Sequence, residues 1–500
     1  MVLVFRPVSS FHVRSFEQGI AMNVLLVVPP FSASPTGRGA RIRPGKLRPL
    51  PPLGLGYLAA VLGEHGHEAH LIDAQARQLG IPETVEAIMA EAPDIVGISI
   101  FTVYMDCSYA LAAALRARAP DLPIVMGGPH ATAFHEAILE ECPAVDYVVP
   151  GEAEHTFAAL LDCLAGGKQV SEVAGIVFRP NRGNIAATPP ADYVRELDTL
   201  PHPARDLFKG NPYTPLPNQS RRKPATTVMT SRGCPWAQCR FCYQGGKYGA
   251  PYRRRSPENV IEELRHLRRN LGFREVIFWD DNFCVNEKWI ARFCDLLDRE
   301  KLDLTWTVQG RVNTVSPSML QRIAASGCYN IFLGFESGNP ELLELIDKGI
   351  TLEQSRNAVA WANQAGLEIR GAFMFALPGE TPEMAEKTIR FACELDVDFM
   401  VFSPFHIQRG TPIESRALQE GRVVHIESDA FDWHIPSYVP NAYSGPEQIT
   451  EILREAYRRF YLRPRYIRRA LWRARNPVIL RNYLRAFIHW AVLAHQGRAG

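Results

Sequence analysis

Three cysteines, Cys234, Cys239 and Cys242, lie within nine residues of one another in this 500-residue chain, at the end of a β-rich run over 225–231. Thiols this close in a reducing compartment point to metal binding or redox chemistry. A structural zinc site usually takes four ligands, and the next cysteine after Cys242 is Cys284. An iron–sulfur cluster that leaves one iron open needs only three thiolates. A zinc knuckle completed from afar, or three unconnected buried cysteines, is the competing reading.

Other polar groups recur at the ends of short apolar runs: Asp280-Asp281-Asn282, Gln309 with Arg311, Glu336-Ser337-Gly338, Arg370, Pro378-Gly379-Glu380 and His406. In parallel α/β folds the chemistry gathers where strands end. The plain alternative is capping: Asp280 and Asp281 for a helix beginning near Asn286, and Glu336 for one at Pro340. Cys284, Cys294 and Cys328 read as small buried hydrophobes.

The elements that position these groups follow from periodicity. Ser256-Pro257-Glu258 opens a helix with an N-cap followed by proline. Strands at 275–279, 304–309, 329–335, 368–375 and 399–403 alternate with helices at 288–299, 316–325, 352–365 and 382–395. With the strand before Cys234 they make six βα units, a partial TIM-like barrel over 223–430. Upstream, apolar runs at 23–28, 70–72, 94–100, 123–126 and 145–149 alternate with helices at 55–66, 82–92, 107–119 and 152–164. That pattern predicts a doubly wound, flavodoxin-like α/β domain over 22–165. A connector with a hairpin near 173–178 spans 166–222. Residues 1–21 read as an extension, since Met22 opens the first strong strand.

Ligands of such sheets sit beyond the carboxyl ends of the strands. The candidate loops there hold Leu53 and Gly54, Ser99 and Thr102, Gly127, Gly128 and His130, and Gly151 and Glu152. Each loop alone reads more readily as an ordinary tight turn, since a lone Gly-rich turn is weak evidence. Gly54-x-Gly56 lacks the third glycine of a dinucleotide fingerprint, which excludes NAD as the expectation.

Composition narrows the classes further. With 46% hydrophobic and 22% charged residues the chain can build large cores. The balance of 55 basic against 53 acidic residues argues against a nucleic-acid partner. Ten cysteines are too sparse for a disulfide scaffold. No apolar run approaches the roughly 18 residues a membrane span needs. A cytoplasmic setting is expected.

Arg232-Gly-Cys-Pro together with Cys239-Arg-Phe-Cys242 resembles the cluster motif of radical S-adenosylmethionine (SAM) enzymes. Pro51-Pro-Leu-Gly-Leu-Gly-Tyr57, Gly127-Gly-Pro-His130 and Gly151-Glu-Ala-Glu154 resemble the cobalamin-binding domain that precedes the barrel in one subgroup. The likeness covers roughly 22–430. The cysteine spacing here is four residues then two, where the family has three then two. The Asp-x-His-x-x-Gly signature of many cobalamin proteins is absent, and His65, His67 and His70 stand in another context. That implies a corrin with no histidine on its lower face, or no corrin.

The resemblance implies cofactors and roles. Cys234, Cys239 and Cys242 would ligate a [4Fe–4S] cluster whose open iron chelates SAM. Phe241 would pack on adenine, Asp280, Asp281 and Asn282 would bind the SAM amino group, and Gly371 would lend main-chain contacts. Glu336 and Ser337 would face the ribose and carboxylate, with Arg311 a carboxylate partner. Leu53, Gly54, Ser99, Thr102, Gly127, Gly128, His130, Gly151 and Glu152 would line the cobalamin. The implied reaction is reductive SAM cleavage to a 5′-deoxyadenosyl radical and methylation of an unactivated carbon or phosphorus. An electron donor of flavodoxin or ferredoxin type would serve it. Oxidative cyclisation, as in porphyrin cyclases, is the second reading, and an Fe–S sensor without SAM turnover the third.

Residues 451–500 hold twelve arginines and two acids, Glu451 and Glu455, with Tyr466, Ile467, Leu471, Tyr483, Leu484, Phe487 and Ile488 at helical spacing. The region 431–500 reads as a basic helical cap over the barrel. Peripheral contact with anionic lipid, suited to a lipid or pigment substrate, is the alternative.

Overall fold

The computed structural model describes residues 15–16, 19–31, 50–180, 183–213, 215, 219–246, 249–424 and 434–473. They fall into two compact units, the first centred on 52–193 and the second on 212 onward.

In the first unit, β1 (Asn23–Val28), β2 (Glu68–Asp73), β3 (Ile95–Ser99), β4 (Ile124–Gly127) and β5 (Tyr147–Val149) pair in parallel in the order β2-β1-β3-β4-β5. Their apolar residues are buried on both faces, as expected of a sheet flanked by helices. The helices are α1 (Leu53–Glu64), α2 (Ile81–Ala90), α3 (Met105–Arg118), α4 (Pro129–Glu141) and α5 (Glu154–Ala165). This order is the flavodoxin type, and it puts the topological switch between β1 and β3.

Two features depart from the sequence expectation. Helix α4 occupies what reads as a loop and its continuation; it bends at Phe134, where φ is −135°, and the bend breaks its periodicity. The hairpin lies further along, as β6 (Val177–Phe178), antiparallel to β5, and β7 (Ala186–Ala187), antiparallel to β6, which extend the sheet. A Gly183 amide bond to the Pro180 carbonyl, 2.8 Å, closes its turn.

In the second unit six parallel strands pair in chain order: β8 (Ala225–Val228), β9 (Glu275–Phe278), β10 (Thr305–Gly310), β11 (Cys328–Glu336), β12 (Glu368–Phe375) and β13 (Phe399–Pro404). Between them run α6 (Pro257–Arg269), α7 (Glu287–Glu300), α8 (Pro317–Ala325), α9 (Leu352–Gln364) and α10 (Pro382–Glu394). Each of these helices starts on a side-chain cap: Ser256, Asn286, Ser316, Thr351 and Thr381. Such a cap stabilises by about 1 kcal/mol and sets where the strand-to-helix turn ends. Phe278, Trp306, Phe335, Phe373 and Phe402 alternate outward into the core under the helices.

The open edge of β13 is covered by α11 (Pro446–Tyr461). Tyr457 and Tyr461, one helical turn apart, accept from the Phe402 and Met400 amides and donate to the same residues' carbonyls, at 2.9–3.2 Å. Two hydroxyls thus take the place of a seventh strand. In α12 (Pro464–Arg473), Arg469 pairs with Asp396 and Asp398, and just before it Arg463 donates to the Leu395 carbonyl at 2.9 Å. These arginines serve the helical cap. Tyr483, Leu484, Phe487 and Ile488 lie outside the described residues. Among the described residues no helix is long and apolar enough to cross a membrane.

Candidate active site

The chain leaves β8 and reaches the cysteine loop through Thr230 and Ser231. Asp280, just beyond β9, holds this exit: its Oδ1 accepts from the Thr230 amide at 2.9 Å, the Thr230 hydroxyl at 2.8 Å and the Ser231 hydroxyl at 2.6 Å. Burial pushes the Asp280 carboxyl up from its ordinary range despite these donors. Its Oδ2 has no hydrogen-bond partner among the described residues. Asp280 is therefore a loop anchor and not a helix cap; Asn286 caps α7 through the Trp289 amide, 2.9 Å. Asn282 is also buried and donates to the Thr314 hydroxyl at 3.3 Å. Of the three, Asp281 alone is exposed, and it accepts from Gln244, two residues past Cys242, at 3.0 Å.

The other flank of the cysteine loop is tied to the segment after β11. The Arg240 amide donates to the Ile346 carbonyl at 2.9 Å and the Trp236 indole to the Asp347 carbonyl at 2.8 Å. Gly349, at φ +64°, leaves the space that the Trp236 ring fills. Arg311, at the end of β10, lies over the Trp236 ring at 5.1 Å, donates to the Lys348 carbonyl, and places Nη1 3.5 Å from the Cys239 sulfur. Lys348 Nζ is 2.6 Å from Glu336 Oε1 and 5.8 Å from the Phe241 ring centre. Glu336 itself sits at φ +64°, a conformation that costs a non-glycine residue about 1–3 kcal/mol and persists where surrounding contacts enforce it. It pairs with Lys348, and no side-chain cap forms at Asn339, where the next short helix begins.

Cys234, Cys239 and Cys242 are free thiols. Burial pushes Cys242 up to about 11 and raises Cys239 too, against the pull of Lys348 and Arg311. A metal must displace those protons to bind. Among the described residues no three His, Cys, Asp or Glu side chains are gathered as the ligands of a single ion. A four-iron cube engages each thiolate on a separate iron, so its sulfurs stand further apart than ligands of one ion. Three free thiols on one anchored loop, with no fourth ligand gathered beside them among the described residues, suit the three-thiolate ligation of a cube with one open iron. Asp280 Oδ2 and Asn282 Oδ1, buried and without partners among the described residues, supply further polar groups just beyond β9.

Several expected residues are used differently. The Ser337 hydroxyl is buried, accepts from the Asn339 amide at 3.1 Å and faces Thr388, so it holds a turn. Gly371 has its bare face against Phe335 and Met400 in the helix-side core, leaving only its main chain for a ligand. The Arg311 guanidinium is committed to protein groups. Lys348 was not legible as a site residue, because nothing in its local sequence marks it; it enters by packing beside the cysteine loop, where Trp236, within the loop, reaches the Asp347 carbonyl.

In the first unit the carboxyl ends of β3 and β4, beside the switch, gather Ser99, Thr102, Gly128 and His130. Gly128 has φ +103°, and a Cβ there would meet the Ile100 carbonyl at 3.1 Å and the Ser99 hydroxyl at 3.3 Å. Gly151, at φ +79°, has open space around it, and its amide donates to Thr132 at 3.0 Å. Gly127 continues β4 with the Val149 carbonyl 3.6 Å from its missing Cβ. Glu152 is half-buried in the next turn. His130 lies in the first turn of α4, buried, with Nδ1 3.0 Å from the Thr102 hydroxyl. Leu53 and Gly54 form the first turn of α1, where a loop is the sequence expectation; Pro52 accepts from the Leu55 and Gly56 amides and starts the helix. An exposed Phe101, against Tyr104 at 5.4 Å, borders the same strand ends. Of Gly127, Gly128 and Gly151 only Gly151 faces open space; the bare face of Gly128 is taken up by Ile100 and Ser99. His65 and His67 instead share Asp162, at 2.8 and 3.1 Å, and Met22 donates to His67 at the opposite end of β1.

Comparisons with known proteins agree with both halves. Residues 48–161 match the B12 binding domain and residues 228–392 the Radical SAM superfamily. An uncharacterized methyltransferase of Pyrococcus horikoshii is 34% identical over 92% of this chain and 97% of its own length. The anaerobic magnesium-protoporphyrin IX monomethyl ester cyclase of Rubrivivax gelatinosus is 25% identical over 83% of this chain and 75% of its own. A radical SAM methyltransferase from Kitasatospora setae, solved with cobalamin and a [4Fe–4S] cluster bound, matches with TM-score 0.67 and 20% identity over 89% of each chain. At that identity the likeness is one of fold.

Proposed function

This chain belongs to the cobalamin-dependent radical SAM enzyme family, and from that premise we propose that it methylates an unactivated carbon or phosphorus of a small molecule. The observation that carries the reading is the cysteine loop, clamped between Asp280 on one side and Arg311 with the 346–349 segment on the other. When bound, the cluster supplies the electron that cleaves SAM, and the corrin carries the methyl group.

The chain's own residues bind, orient and shield. Cys234, Cys239 and Cys242 hold the cluster, and the anchored loop fixes their spacing. Asp281, exposed beside the loop, accepts the SAM ammonium. Phe241 packs on adenine, and Lys348 beside Glu336 faces the polar part of the nucleoside. The switch-point residues Ser99, Thr102, Gly128 and Gly151 receive the corrin. An external flavodoxin or ferredoxin reduces the protein.

The test is anaerobic reconstitution with iron, sulfide and hydroxocobalamin, followed by addition of reductant and methyl-labelled SAM. The reading expects roughly four irons and one corrin per chain, with 5′-deoxyadenosine and S-adenosylhomocysteine both formed. Four irons without corrin would remove the methyl-transfer half. Cyclisation is the second reading, favoured by the Rubrivivax cyclase match. It expects 5′-deoxyadenosine without S-adenosylhomocysteine.

A further inference from the structure

We infer that Arg311 is a positioning residue that raises the reduction potential of the cluster by donating a hydrogen bond to the Cys239 sulfur. This rests on the proposed function above, since it presumes a cluster on the three cysteines. Arg311 Nη1 lies 3.5 Å from Cys239 Sγ, and both residues are buried. The rest of the guanidinium is held in place: Nη2 donates to the Lys348 carbonyl, Nε lies 3.4 Å from Asn313 Oδ1, and the Trp236 ring centre is 5.1 Å away. A fork fixed on three sides cannot turn to clamp an incoming carboxylate without breaking those contacts. Its pairing with Cys239 belongs to the resting protein.

The charge balance is uneven. Lys348 is neutralised by Glu336 at 2.6 Å, whereas Arg311 has no carboxylate partner among the described residues, and a guanidinium keeps its proton. Cys239 therefore faces one uncompensated positive charge in a buried setting, where charges act strongly. One-electron reduction takes a single electron from the external donor and adds negative charge to the cluster and its sulfurs. A hydrogen bond to a ligating sulfur and a neighbouring cation stabilise that reduced form more than the oxidised one. Arg311 thereby brings the cluster within reach of its donor.

The test is an EPR-monitored redox titration with dithionite of the reconstituted full chain, without SAM, beside an iron count. Arg311→Gln should keep its iron and show a midpoint lowered by at least a tenfold change in the reduced-to-oxidised ratio, about 59 mV for one electron. An unchanged midpoint with iron retained overturns the inference, even where SAM affinity falls. If Arg311→Gln loses its cluster, Arg311→Lys decides: with the charge kept and the fork that reaches the Cys239 sulfur lost, the midpoint should still fall, and an unchanged midpoint with iron retained overturns the inference. A wild-type chain that takes up no cluster fails the proposed function itself, which separates the two.

Discussion

Glu380 should impose a pH slope on the stability of the barrel unit. Its carboxyl is fully buried just beyond β12, where Oε1 accepts from the Tyr443 hydroxyl at 2.6 Å and the Ala376 amide at 2.8 Å. Its Oε2 has no partner among the described residues. Burial outweighs those donors and pushes the group up to about 7 from 4.5. At about 1.4 kcal/mol per pH unit, that difference corresponds to roughly 3 kcal/mol. The sign follows from proton counting. Between about pH 4.5 and 7 the folded chain holds a proton that the unfolded chain has released, so stability falls as pH rises through that window. It is fully present below about 4.5 and lost above about 7. Glu380→Gln has no such step. Urea unfolding of both proteins, followed by tryptophan fluorescence at pH 5 and pH 8, should show the difference between them moving by roughly 2.5 kcal/mol in favour of the variant at pH 8, the part of the effect that falls between those two pH values. A difference constant to within about 0.5 kcal/mol, the usual additivity error, would refute the buried-carboxylate reasoning.

Three further outcomes are expected. Cys239→Ala should abolish 5′-deoxyadenosine formation from SAM under reductant; continued production contradicts the assigned cluster. Asp281→Asn should keep its iron yet weaken SAM binding by about tenfold or more, the size of one charge-assisted hydrogen bond, as read by calorimetry; unchanged affinity would remove Asp281 from the SAM site. Gly349→Ala places a methyl group against the Trp236 ring at a left-handed φ, so the cysteine loop must shift. Iron retained per chain should fall well below wild type, and a full complement would show that the loop tolerates the move.

Much of the scaffold was legible because its signals are local. Ser256 precedes proline and an amphipathic run and caps a barrel helix as read; Ser316 and Thr381, in the same context, prove to be caps too. The strand at 368–375 was read to the residue. Helix α4 was not, because its bend at Phe134 breaks the periodicity that reveals helices. The Asp280-Asp281-Asn282 triplet after β9 was visible as a candidate. Which of its members turns inward depends on Thr230 and Ser231, about fifty residues earlier in the chain.

The residue order alone determined the two α/β units, the three thiols and the family they resemble, since strand runs, caps and cysteine spacing act over a few residues. Tertiary structure decided the rest: that Asp280 anchors while Asp281 faces outward, that Ser337 and Gly371 serve packing, and that Arg311 reaches Cys239 across 72 positions. Those outcomes depend on which side chains meet when parallel strands align, and burial then sets which charges are shielded. Neither quantity exists until the chain has folded.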